Sequence, residues 1–285
     1  MALRKDYTRP LDLKHGRVDM NHGAGGRASA QLIEALFARA FDNPALREGN
    51  DGAVLPAPPA GHRLVLATDA HVISPLFFPG GDIGALSVHG TVNDVAMMGA
   101  QPLYLSASFI LEEGLPLADL KRIVDSMAAA ASEAGVAIVT GDTKVVEQGH
   151  GDGVFISTTG AGWLPPGRRL GGDLARPGDV VLVSGPIGDH GVAVLSKRES
   201  LEFETEIVSD SAALNGLTAA MLAAVPEGSV RVLRDPTRGG LATTLLVRAA
   251  SGFAGAACTT LGTLYMLQAL PRRYVPEGSA PAYYR

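Results

Sequence analysis

Tyr104-Leu-Ser-Ala-Ser-Phe-Ile-Leu111, then Leu117-Ala-Asp-Leu-Lys-Arg-Ile-Val124 running on to Ala134-Gly135, then Val136-Ala-Ile-Val-Thr140 is the stretch that decides the fold. It reads as a strand, an alanine-rich helix closed by Gly135, and a second buried strand. Residues 154–163 add a further strand and complete the block. Upstream, 82–98 has helical character and ends near Gly99 and Pro102, with Asn93-Asp94 close to its last turn. Before that, 63–68 is a short strand leading into Asp69, preceded by the turn-rich segment 56–61. Further back, Leu32, Ile33, Leu36, Phe37, Ala40 and Phe41 recur on one helical face, and Asn43-Pro44 stops the run because proline disfavours a helical residue before it.

Downstream, 165–178 packs turn formers between two apolar strands and is the candidate linker. A second unit starts with a strand at 180–184. Helices are expected after Gly188, over 209–224, and after Arg238-Gly239-Gly240. The alternation argues for an α/β or α+β protein of two domains. The expected boundaries are a mobile lead-in over 1–20, an N-terminal domain over 21–165, a partial C-terminal domain over 178–250, and an atypical tail over 251–285.

The chain has 285 residues, 46% of them hydrophobic, which is enough to bury a core in one large or two ordinary domains. Its net charge of −5 leaves no surplus of cations for a phosphate backbone, and no basic stripe is present, so nucleic-acid binding is not expected. The single cysteine, Cys258, rules out an internal disulfide or a multi-cysteine metal site and fits a reducing compartment. The first twenty residues carry charges throughout and lack a signal peptide's apolar run, so a cytoplasmic location is expected. Residues 249–271 carry no charge and are long enough to span a membrane, but their glycines, threonines, Ser251 and Gln268 make them too polar for one.

The motifs point to a nucleotide. Gly23, Gly25 and Gly26 precede a helix, where backbone N–H groups can approach an anion. The pattern is neither GxxxxGK[ST] nor GxGxxG, and alone such a turn is more often a plain connection. Asp51 in Asn-Asp-Gly-Ala, Asp69 at a strand end, Asp94 in Asn93-Asp94-Val-Ala and Asp142 in Thr140-Gly-Asp-Thr143-Lys144 sit where sites are usually built. Singly each reads as a turn former or cap; as a set they are candidates to gather around a magnesium–triphosphate. Lys144 adds a cation that would neutralise phosphate charge. His71, His89 and His190 lack the HxxxH spacing of a zinc helix and read as structural, and Met97-Met98 reads as core packing. Asp235-Pro-Thr-Arg238-Gly-Gly240 is a turn entering a helix whose Arg and glycines also suit an anionic ligand.

These strings carry a family resemblance. His22-Gly-Ala-Gly-Gly26, Thr68-Asp69, Pro75-Leu-Phe-Phe-Pro-Gly-Gly81, Asn93-Asp94, Phe109-Ile-Leu-Glu-Glu-Gly-Leu-Pro116, Thr140-Gly-Asp-Thr-Lys-Val-Val146, Gly188-Asp-His-Gly191 and 235–240 occur in the order seen in hydrogenase maturation factors of the HypE type. The resemblance covers about residues 20–245. It implies two α+β domains like those of aminoimidazole ribonucleotide synthetase, the first binding ATP and forming a homodimer. It implies Mg2+ and phosphate contacts by Asp51, Asp69, Asp94 and Asp142, with Asn93, Thr143, Asp235 and Arg238 at the nucleotide and Lys144 and Asp94 in catalysis. The reaction implied is ATP-dependent dehydration of a cysteine S-carboxamide to a thiocyanate, whose cyano group becomes an iron ligand of [NiFe]-hydrogenase. The partners implied are the carbamoyltransferase HypF and the HypC–HypD complex.

Members of that family end in Pro-Arg-Ile-Cys and carry an Asn-Glu-Gly motif; this sequence ends Ala-Pro-Ala-Tyr-Tyr-Arg and carries neither. Acidic residues also thin out beyond about residue 247, as an altered reading frame or a divergent ending would produce. The sequence therefore leaves open a module that binds ATP without turnover. Within the wider group, a small-molecule kinase or a selenophosphate synthetase is the other reading; the glycine loop lacks the reactive Cys of the latter, and 75–81 disfavours the former.

Overall fold

Glycines, prolines and short polar residues punctuate the turns among the described residues, and the elements between them follow. In a computed structural model, residues 10–176, 178–199, 207–236 and 241 and the backbone of 267–271 are described. A turn at Met20–His22 leads to α1 (Arg27–Leu32), which continues as a π-helical stretch, Ile33–Ala38. Asn43-Pro44 follows the end of that run and also starts the next helix. The Asn43 side chain accepts from the Ala45 and Leu46 N–H groups, and Pro44 takes the first position of α2 (Pro44–Arg47), where its missing N–H costs nothing.

Then come β1 (Arg63–His71), the small hairpin β2 (Phe77–Phe78) and β3 (Gly81–Asp82), α3 (Ile83–Met97), β4 (Gln101–Glu112), α4 (Leu117–Ala134), β5 (Ala137–Val146) and β6 (Val154–Leu164). The four long strands form one sheet in the order β1-β6-β4-β5, antiparallel except for the parallel pair β4–β5 that α4 connects. The stretch 104–140 is thus a strand–helix–strand crossover, as its sequence implies. α4 buries Leu117, Leu120, Ile123, Val124, Met127, Ala130, Ala131 and Ala134, the stripe of a helix lying on a sheet, and Gly135 ends it in the left-handed conformation at φ 69°. Fully burying each of the larger side chains stabilises the fold by about 1.5–3 kcal/mol.

α3 lies beside α4 and is buried on most sides. Its cap joins the two helices: Asp82 Oδ1 accepts from Gly84 N (2.8 Å), Ala85 N (3.1 Å) and Ser126 Oγ of α4 (2.9 Å). Leu105, Ala107, Phe109, Leu111, Val154 and Ile156 alternate along β4 and β6 to face these helices. The opposite face carries Tyr104, Ile110 and Trp163, and Leu64 and Leu66 are 52% and 64% exposed there.

β5 is longer than the 136–140 strand expected, because β4 supplies backbone partners as far as Val146 and so draws Gly141-Asp-Thr-Lys144 into the sheet. The lead-in expected to be mobile over 1–20 is anchored in its described part: Val18 is 1% exposed and its N–H donates to Leu115 O at 2.8 Å. Residues 1–9 lie outside the described residues.

After the linker region, β7 (Asp179–Val183), α5 (Asp189–Arg198), α6 (Asn215–Ala224), β8 (Leu233–Arg234) and β9 (Leu267–Pro271) follow, with β9 pairing antiparallel to both β7 and β8. The helix expected over 209–224 is only α6. Residues 209–214 instead take an extended path, because Ser209 and Asp210 bond His190 of α5 and Ser211 bonds His89 of α3 in place of helical bonds. The uncharged stretch 249–271 ends in a β-strand, and no helix among the described residues is long and apolar enough to cross a membrane. The helix expected after 238–240, Cys258 and the rest of the 251–285 tail lie outside the described residues.

Candidate functional site

The glycine turn is held by its own side chains. Asp19 Oδ1 accepts the Asn21 N–H at 2.9 Å, and His22 Nδ1 accepts the Asp19 N–H at 3.0 Å. A Cβ on Gly23 would stand 2.6 Å from the Val145 nitrogen, so only glycine lets this turn lie flat against β5. Gly25 and Gly26 follow at φ 72° and 110°, a region other residues rarely adopt. The Gly25 N–H is engaged by Ser29 Oγ at 3.0 Å.

Between this turn, the helix that follows it and β5 lies a cavity of about 460 Å³. Ile33, Phe37, Phe41, Phe109 and Ile138 give it an apolar wall, with the Phe37 and Phe109 rings 4.8 Å apart. Gly23, Gly25, Asp142, Thr143 and Lys144 make a polar rim, with Asn50 and Gly52 from the loop that carries Asp51. The apolar wall with a few convergent polar groups is the usual form of a small-molecule site. Lys144 Nζ lies 2.9 Å from Asp142 Oδ2. That hydrogen-bonded ammonium, aided by the Thr143 N–H, holds the Asp142 carboxyl below the usual carboxylate range. Both side chains of the pair remain exposed, so the cation can turn to a ligand.

Asp69 and Asp94 belong to a second group. Asp69 Oδ2 lies 3.3 Å from His71 Nε2, against the bare Gly90 of α3. Asp94 is one turn further along α3, and Asp235 follows β8. Burial first, then the charges of Asp94 and Asp69, push the Asp235 carboxyl well above its ordinary range. Asp142, Ser108, Ser157 and Ala70 lie in one row across the four strands. The two edge strands therefore stand roughly 14 Å apart at about 4.8 Å per strand pair. The single four-carboxylate cluster expected from sequence does not form within one chain: Asp142 lines the cavity and Asp51 adjoins its rim without lining it, while the carboxylates of Asp69 and Asp94 lie close enough to Asp235 to raise its pKa. Among the described residues no three His, Cys, Asp or Glu side chains converge as a metal site.

Asn93, expected at the nucleotide, is buried with its amide spent on residues 212–214. Gly26 adjoins the cavity's rim without lining it. Arg238, with 237, 239 and 240, lies outside the described residues. His89 and His190 are structural in position: His89 Nδ1 pairs with Ser211 Oγ and His190 Nδ1 with Ser209 Oγ, both at 2.9 Å, and burial pushes both rings' pKa values down. Met97 is buried but Met98 is exposed. His22, Phe37, Phe41 and Phe109 line the cavity without a sequence signal that marks them as site residues. The helical spacing of Phe37 and Phe41 was visible, but it is also the spacing of a core stripe.

Residues 49–164 match the N-terminal domain of AIR synthase related proteins, and residues 176–259 match their C-terminal domain. The carbamoyl dehydratase HypE of Cupriavidus necator is 74% identical over 244 residues, covering 86% of this chain and 69% of that protein. A crystal structure of hydrogenase maturation protein HypE in complex with ATP superposes with a TM-score of 0.81 at 46% identity, covering 89% of this chain and 81% of that one. A HypE–HypF complex gives a TM-score of 0.69 at 46% identity, covering 86% and 85%.

Proposed function

Since the chain belongs to the HypE family of AIR synthase related proteins, we propose that it acts in hydrogenase maturation as an ATP-dependent carbamoyl dehydratase. The observation that carries this reading is the cavity itself, with an aromatic wall suited to a purine and the Asp142–Lys144 rim suited to phosphates. An amide oxygen is a poor leaving group and phosphate is a good one. Phosphoryl transfer from ATP to the oxygen of a cysteine S-carboxamide, followed by loss of both amide protons and departure of phosphate, leaves a thiocyanate with ADP and phosphate. The Lys144 ammonium is placed to neutralise charge that builds on the transferring group.

Magnesium suits this chemistry because it needs only one or two protein carboxylates when phosphates supply further oxygens. Asp142 and Asp51 would hold it at the cavity, neutralising phosphate charge, and Asp69 and Asp94 with Asp235 stand as a second carboxylate group for the same nucleotide chemistry. HypF is the partner that would supply the carbamoyl group, and HypC–HypD would receive the cyano group. A second copy of this chain would cover the open sheet face around Leu64, Leu66 and Ile110. The test is to supply the purified chain with Mg-ATP and a peptide bearing an S-carbamoyl cysteine. Release of ADP and phosphate matched by loss of one water mass from the peptide is expected. ATP consumption that leaves the peptide mass unchanged would sink the dehydratase reading, and a phosphorylated small molecule would favour a kinase.

A further inference from the structure

The Asp19–His22 pair fixes more than a turn. A backbone N–H can only donate, so the 3.0 Å bond from Asp19 N requires a lone pair on His22 Nδ1. The ring is therefore neutral, with its proton on Nε2. The alternative is also within reach, since Asp19 Oδ1 lies 3.2 Å from the same Nδ1. Taking it would need the proton on Nδ1 instead, which would leave the Asp19 N–H without its acceptor and Nε2 without its donor. The ring is 7% exposed and lines the cavity. Among the described residues its Nε2 has no hydrogen-bond partner, and it is not one of the fully enclosed polar atoms. Gly23 then packs the turn on Val145, next to Lys144. A fixed neutral donor thus stands at the same rim as the mobile cation.

We propose that His22 is a ligand-contacting residue whose Nε2–H donates to a phosphate oxygen of ATP, with Asp19 setting its tautomer. This rests on the reading that ATP occupies the cavity. The two ring nitrogens do different jobs, so two amides separate them. In His22→Asn the side-chain oxygen falls near the Nδ1 position and keeps the acceptor for Asp19 N, but the Nε2 donor is gone. In His22→Gln the amide nitrogen reaches the Nε2 position, while the cap is lost.

Calorimetry with ATP and with adenosine on the full chain tests this. His22→Asn is expected to weaken ATP binding about tenfold, the size of one hydrogen bond to a charged oxygen, and to leave adenosine binding unchanged. His22→Gln is expected to recover ATP affinity to within about threefold of the parent. ATP binding by His22→Asn equal to the parent's, or equal losses of ATP and adenosine, would overturn the proposal, since His22 would then serve only the turn. Gln behaving no better than Asn would overturn it as well. Lys144→Ala and Phe37→Trp report separately on the cavity: if neither changes ATP binding, the nucleotide is elsewhere and the underlying reading is what fails.

Discussion

Asn93 Oδ1 accepts the Leu214 backbone N–H at 2.7 Å, while Nδ2 of the same side chain donates to the Ala212 carbonyl at 3.0 Å. One buried carboxamide on α3 thereby does for residues 212–214 what a neighbouring strand would do. Asn93→Ala leaves two backbone groups unpaired beneath the segment, at a cost of about 1–3 kcal/mol each. We predict a loss of about 2–6 kcal/mol in urea denaturation at unchanged slope. An unchanged midpoint would show that residues 212–214 are held by other means. Intact ATP affinity at low temperature would separate this role from the nucleotide contact expected from sequence.

Lys144 and Asp142 are both exposed, and ion pairs of that kind contribute about 0–1 kcal/mol. Lys144→Ala should therefore leave the melting temperature within a few degrees of the parent while lowering ATP affinity about tenfold or more. Asp94→Asn should weaken Mg-ATP binding if the second carboxylate group serves the nucleotide. Calorimetry showing Mg-ATP binding unaltered by Asp94→Asn would confine the nucleotide carboxylates to the cavity.

Burial raises the Asp210 carboxyl to about 6 from its ordinary 3.8. One of its oxygens accepts the His190 N–H at 3.1 Å and the other is enclosed without a hydrogen bond. The folded chain therefore holds this proton more tightly than the unfolded chain. The group's contribution to stability is full below about pH 4 and is lost as the pH rises through 6. Asp210→Asn keeps an oxygen for His190 and does not titrate. It should melt higher than the parent at pH 7.5, with the advantage shrinking toward pH 4.5. His89 and His190, displaced in the opposite direction, are present in both proteins and cancel in the difference. A difference in melting temperature that is flat with pH would contradict the assignment.

Leu64 and Leu66 stand on the open face of the sheet with Ile110, beside the edge-to-face pair of Tyr104 and Trp163. A second copy burying this face would remove it from water. Leu66→Lys is expected to convert a dimer into a monomer by light scattering at micromolar concentration, with little loss in the melting temperature of the monomer. A parent chain that is already monomeric there would refute the dimer.

Local signals are legible in the sequence and distant ones are not. The apolar stripe and Gly135 placed α4 to the residue, and the glycine turn with Asp142-Thr-Lys144 marked one rim of the cavity. The extension of β5 to Val146 depends on hydrogen bonds that β4 provides, which no property of Gly141 or Asp142 announces. The Asn93 contacts are hidden for a similar reason, because their partners lie over a hundred residues away in sequence. The split of the aspartates follows from strand order: β1 and β5 are opposite edges of one sheet, and order is decided by how the whole domain closes. The aromatic wall was hidden because a helix presents the same spacing to a cavity as to a core.

The pairing of β1 with β6 alone sets a timetable for the newborn chain. Its partner strand is made about ninety residues later, which at translation speeds of about 5–20 residues per second is a wait of roughly five to twenty seconds. β4, α4 and β5 close over a much shorter span and can assemble as soon as they emerge. Pulse-labelled amides should accordingly gain protection in β4 and β5 before β1, and simultaneous protection would contradict this order. During the wait, Leu64-Val-Leu-Ala67 is an uncharged apolar strand with both edges open. The segment most prone to misassociation is then the one completed last, so slowed synthesis between residues 71 and 154 should lower the soluble yield even though no residue of the finished protein has changed.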